Sequence, residues 1–226
     1  MKQDDNAIAT ADLFAGLMIV FLFIAVVFMQ NSQAETESVR DLVEFNENQE
    51  SVLLNALEEE FSNDLQRWGA VLDPNNLSIR FENPQILFSN GSAIVNQHFK
   101  DILDDFWPRY MRVVFENKQM IDTLSIEGHT SSRWNTNTDA VESYFLNMEL
   151  SQDRTRNVLR YCESISSENQ AGFIRRHITA NGLSSSRIIY SRGFEDASKS
   201  RRVEFVINKK NNDEELRELI TTLGRG

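Results

Sequence analysis

The strongest feature of the hydropathy pattern lies near the N-terminus, where Leu13 to Met29 reads LFAGLMIVFLFIAVVFM without a polar side chain. A run of about 17 residues makes roughly 25 Å of helix. Ala7, Ile8, Ala9 and Ala11 lengthen it enough to cross a hydrocarbon core of about 30 Å. A cleaved signal peptide would carry a shorter apolar run, basic residues before it and a small-x-small site after it. The flanks here are Met1-Lys2-Gln3-Asp4-Asp5-Asn6 and Phe28-Met29-Gln30-Asn31. The pattern predicts a transmembrane helix over 13–30 behind a short tail, 1–12. Basic residues are rare on both sides, so the charge rule for orientation has little to act on.

The pattern then changes period. Val39, Leu42, Val43, Leu53, Leu57, Phe61, Leu65 and Trp68 recur at spacings of three and four through a polar, acidic stretch, which predicts a helical linker over 31–76. Its role is a spacer with some dimer contact, ended by Asp73-Pro74-Asn75-Asn76. From Leu77 the pattern is that of an α+β domain, 77–208. Leu77, Ile79 and Phe81 alternate with polar residues as in a half-buried strand. Ile86-Leu87-Phe88 predicts a second strand, and 96–115 a helix that Pro108 should kink or split. A strand over 123–127 is followed by a loop over 128–139 and a helix reaching Tyr161. Phe173 to Ala180 predicts a helical piece capped by Asn181-Gly182. Ile188-Ile189-Tyr190 and Val203 to Ile207 predict the last strands, and 209–226 a polar tail.

Composition narrows the function classes. The formal net charge is −11, from 34 acidic and 23 basic residues, the wrong sign for a nucleic-acid-binding face. One cysteine, Cys162, allows no internal disulfide, and His98, His129 and His177 lack ligand spacing; no metal centre or cofactor is expected. The chain has no GxSxG, no HExxH and no cysteine–histidine motif around Cys162, so an enzyme acting on the cell wall is disfavoured.

Four short segments, in order, carry a family resemblance. Phe88-Ser89-Asn90-Gly91-Ser92-Ala93, Ile126-Glu127-Gly128-His129-Thr130, Asn147-Met148-Glu149-Leu150-Ser151-Gln152-Asp153-Arg154, and Gly193 followed by Arg201-Arg202-Val203-Glu204 resemble the OmpA-like peptidoglycan-binding domain. The resemblance covers 77–208 and implies a β-α-β-α-β arrangement of helices on a mixed sheet. Asn147, Leu150 and Arg154 are spaced i, i+3 and i+7, which puts them on one helix face. A guanidinium pairs with a carboxylate through two hydrogen bonds, and an amide both donates and accepts. These are the chemistries that a stem peptide with carboxylates and a zwitterionic diaminopimelate would meet. The resemblance also places Arg202 near the groove. It departs at Ser131, where the family has an aspartate that meets the ammonium group of diaminopimelate. Asp139 and Asp153 are candidates to replace that charge, and Arg133 and Trp134 make the loop unusual. His129 reads as a packed strand-end residue.

The membrane helix adds a second resemblance. Asp12 stands at its boundary, in Ala11-Asp12-Leu13-Phe14-Ala15-Gly16-Leu17-Met18, where a carboxylate costs less than the roughly 2.5–3.5 kcal/mol of mid-helix. On periodicity alone Asp12 reads equally as an interfacial residue or N-cap and as a functional carboxylate. The stretch resembles the membrane helix of MotB-type stator subunits, and more loosely ExbD and TolR. A short tail, one helix, a linker and an OmpA-like domain complete that resemblance. Within the type, the short acidic tail and altered loop look most like the MotB-like subunit of the Zorya anti-phage defence systems. The resemblance implies that Asp12 binds and releases a permeating ion, a proton. It also implies a homodimer within five copies of a MotA-like membrane partner, with the N-terminus cytoplasmic and the C-terminal domain periplasmic at the inner membrane. The alternatives are a passive OmpA-like wall anchor and a flagellar MotB-like stator.

Overall fold

The computed structural model describes residues 2–82 and 84–210; side chains are described for 14–33, 40, 44, 48–82 and 86–210. The chain divides into two units, one of 1–48 and 212–226, the other of 49–211. In the first, α1 (Lys2–Phe61) begins. Its Phe14–Gln33 segment is long and apolar enough to cross a membrane, and large side chains such as Phe14, Phe21 and Phe28 are exposed.

The second unit holds the end of α1 and all later elements. These are α2 (Leu65–Trp68), β1 (Ala70–Asp73), β2 (Ser78–Phe81), α3 (Pro84–Leu87), α4 (Gln97–Glu116), β3 (Ile121–Gly128) and α5 (Ala140–Ser164). After them come α6 (Glu168–His177), β4 (Ile178–Gly182), β5 (Tyr190–Ser191), β6 (Phe194–Glu195), α7 (Ala197–Ser200) and β7 (Val203–Lys209). Five strands form one sheet in the order β1-β2-β7-β3-β4. Only the β3–β4 pair is parallel, and its crossover is made by α5 and α6, since parallel neighbours need a long connection. The sheet is thus mixed, as the family resemblance implies.

Aromatic side chains fill the core. Phe61, Phe81, Phe99, Phe106, Trp107, Tyr110 and Phe205 are all essentially inaccessible. Phe106 sits 4.9 Å from Phe205 and 5.2 Å from Phe61, ring centre to ring centre, within the range of favourable aromatic pairing. Leu53, Leu57 and Phe61 of α1 are fully buried. The compact unit therefore starts near Gln49 rather than Leu77, because the last turns of the expected linker cover the core.

Other local differences have similar causes. α4 runs unbroken past Pro108, since Phe106, Trp107, Tyr110 and Met111 are buried on either side of it and hold the helix that proline would weaken. Ile86 and Leu87 lie in α3 instead of a strand, with only Phe88 bridging to Val95. Asn181-Gly182 ends β4, not a helix. Ile188 and Ile189 stay outside the main sheet, and Tyr190 joins the separate β5–β6 pair.

Candidate functional site: an arginine-lined pocket over the β3–β4 strand ends

The parallel pair ends on a rung of two glycines, Gly128 opposite Gly182. Helix α5 crosses directly above. A Cβ on Gly128 would lie 2.7 Å from Thr155 Cγ2, and one on Gly182 only 2.3 Å from the Gln152 backbone nitrogen. No other residue leaves room for so close an approach. The Gln152 amide clips α5 to the strand edge, donating to Ala180 O at 2.9 Å and accepting from Gly182 N–H at 2.7 Å.

Beyond the rung, β3 continues as extended chain held on both sides. His129 exchanges backbone hydrogen bonds with Arg202, and Thr130 N–H donates to Ser184 O. Ser184 is itself pinned to α5, its N–H donating to Ser151 Oγ and its hydroxyl to Tyr144 O. The chain then reaches Ser131, whose carbonyl accepts from Asn147 Nδ2 at 3.1 Å.

A pocket of about 200 Å³ opens at this point, lined by Asn90, Gly91, Thr130, Ser131, Arg133, Trp134, Asn147, Leu150, Arg154 and Arg201. The i, i+3, i+7 face of α5 forms one wall of it, as its spacing predicts. Arg154 is nine-tenths buried. Its Nε donates to Ser92 O at 2.8 Å and its guanidinium lies 4.7 Å from the Phe88 ring centre. The hairpin turn at Asn90-Gly91 brings that carbonyl into place, with Gly91 at φ +67°. Among the described residues no carboxylate contacts Arg154. Burial, with the charge of Arg201 beside it, pulls its pKa down to about 10. The Thr130 hydroxyl oxygen is also buried without a hydrogen-bond partner.

The aspartates considered as replacements for the family carboxylate are engaged elsewhere. Asp139 caps α5 by accepting from Glu142 N–H, and Asp153 pairs with Arg156 at 3.0 Å. Among the described residues no acidic side chain lines the pocket.

Arg202 is not in the pocket wall; its neighbour Arg201 is. Successive residues of an extended chain face opposite ways, and Arg202 turns inward. Its Nε donates to Glu204 Oε1 at 2.5 Å, and Nη1 to the carbonyls of Arg187 and Ser200. Here Glu127, His129 and Glu204 bring their donor atoms within 4.8 Å of one another. Arg187 and Arg202 neutralise the two carboxylates, so the group is a buried ion-pair network. His129 is packed, as expected, with both ring nitrogens lacking hydrogen-bond partners; Nε2 lies 3.5 Å from Glu127 Oε2. Burial pushes the His129 pKa down, and Arg202 adds to this against the pull of Glu127 and Glu204. The neighbouring His129 ring holds Glu127 below the usual carboxylate range, helped by Arg187 and Arg202. The side chain of Asp12 lies outside the described residues.

No protein-family model matches the chain. Among solved structures it is similar to a MotB-like protein from Desulfovibrio vulgaris, with a TM-score of 0.50 at 21% identity over 76% of this chain and 98% of that one. The fold is therefore that of this MotB-like protein. The chain is also 40% identical over 210 residues to Zorya protein ZorB of Escherichia coli (Crooks strain), covering 91% of its own length and 89% of that relative. It belongs to the ZorB family.

Proposed function

We propose that the chain is the wall-anchored subunit of a Zorya rotary membrane motor that is driven by ion flow. Two copies sit within five copies of a MotA-like membrane partner, with the N-terminal tail cytoplasmic and the 49–211 unit periplasmic. The pocket on α5 binds the peptidoglycan stem peptide and holds this subunit still while the partner ring turns. Asp12, placed just before the apolar stretch, takes up and releases a proton as its access to water changes. Turning of the ring transmits phage attack to the cytoplasm.

The observation that carries the anchoring role is Arg154. A buried guanidinium with no carboxylate partner is costly unless a ligand supplies the counter-charge. Buried against Phe88 and next to Asn147, it is a ready seat for a carboxylate.

The test is co-sedimentation of the detergent-solubilised chain with purified sacculi, wild type against Arg154→Ala, with circular dichroism to establish folding. Loss of one charge-assisted hydrogen bond is worth roughly 1.5–3 kcal/mol, so the variant should lose about tenfold or more in affinity. Equal sedimentation of a folded variant would remove the arginine from the wall contact. Failure of the wild type to sediment would refute anchoring through this domain.

A further inference from the structure

The pocket's charge is opposite to that of the chain. A protein of net charge −11 here presents Arg133, Arg154 and Arg201, without a carboxylate among the lining residues. Glu195 of β6 is occupied by Ser132 of the pocket loop, whose N–H and hydroxyl both donate to it. At the position facing Asn147, Ser131 offers a neutral side chain and a carbonyl already accepting from that amide. Thr130 also lines the pocket, but its hydroxyl oxygen is buried without a partner and adds no charge to the lining. These groups fit anions and neutral amides. They offer a free ammonium group no counter-charge, and three guanidiniums repel it.

This has a consequence for the wall ligand, and it rests on the reading that the pocket takes a stem peptide. The diamino acid of that peptide ends in a carboxylate beside an amino group. In an uncross-linked stem the amine is a free ammonium; in the acceptor stem of a cross-link it is acylated and uncharged. We propose that the pocket selects stem peptides whose diamino-acid amine is acylated, so that the chain anchors at cross-links in the wall. The terminal carboxylate pairs with Arg154 and Arg201. The amide, now neutral, sits by Ser131, where it exchanges hydrogen bonds in place of a charge interaction.

The experiment is calorimetric titration of the full chain in detergent with two synthetic tripeptides, L-Ala-γ-D-Glu-meso-diaminopimelate with its distal amine free and the same peptide N-acetylated there. The acetylated peptide should bind about tenfold tighter, a difference of roughly 1.4 kcal/mol. Ser131→Asp, which restores a carboxylate, should reverse the preference, with circular dichroism to establish that it folds. The wild-type comparison decides the matter even if that variant does not. Equal binding, or preference for the free amine, would overturn the selection while leaving wall binding intact. If neither peptide binds but sacculi still retain the chain, the selection falls and the anchoring reading stands. If sacculi are not retained either, both fall together.

Discussion

At the scale of single residues, the charge balance of the buried Glu127–His129–Glu204 group rests on His129. Its pKa is depressed in the folded chain by burial, so folding favours the neutral ring. Above the ordinary histidine value of about 6.5 both folded and unfolded states are neutral and stability is complete. As pH falls through that value the unfolded chain takes up the proton first, and stability declines. Glu127, held low by its neighbours, adds a further loss at more acidic pH. The melting temperature should therefore fall between pH 7.5 and 5, and His129→Gln should flatten the upper part of that decline in a thermal melt followed by circular dichroism. At the other end of the chain, Asp12→Asn is nearly isosteric but cannot ionise. It should abolish phage protection in a plaque assay while leaving protein level and membrane insertion unchanged. Full protection by that variant would leave a passive anchor. The sequence makes Asn147, Leu150 and Arg154 legible because the family resemblance singles them out and helix spacing brings them to one face. It does not separate Arg201 from Arg202, because adjacent residues of an irregular strand entry swap faces with a shift of one residue. Only the three-dimensional pairing of His129 with Arg202 fixes which arginine faces the pocket.

At the scale of elements, the last turns of α1 and the glycine rung matter most. The periodicity of Leu53, Leu57 and Phe61 shows an apolar stripe but not what covers it. A stripe of that kind suits a spacer, a dimer seam or a core helix equally, and only the structure puts it in the core. Phe61→Ala should cost about 3–5 kcal/mol in urea unfolding of the chain. A fragment beginning at Leu77 should fail to unfold cooperatively, whereas one beginning at Gln49 should show a single transition. Gly182→Ala should destabilise by roughly 1–3 kcal/mol, the usual effect of overpacking, because its methyl group would meet the Gln152 backbone. The sequence reading of Asn181-Gly182 as a helix cap follows the usual place of glycine after a helix. Here the glycine serves a crossing between helix and strand, a feature that no local pattern records.

At the scale of the whole molecule, an apolar stretch of spanning length and a compact α+β unit share one chain. Cys162 is fully buried, so it should stay silent toward an impermeant maleimide. The exposed Asn169, replaced as Asn169→Cys, should be labelled from outside intact spheroplasts; labelling only after lysis would reverse the proposed orientation. The arrangement of charge in the pocket has a last consequence. Arg133 and Arg201 are open to solvent, and Arg154 lies beneath them. Mobile ions weaken exposed charges over about 10 Å at 0.1 M salt and reach buried ones far less. Salinity should therefore alter how fast the wall is captured, through the outer pair of arginines, more than how long it is held. A cell moving between fresh and brackish surroundings would keep its grip on the wall once made.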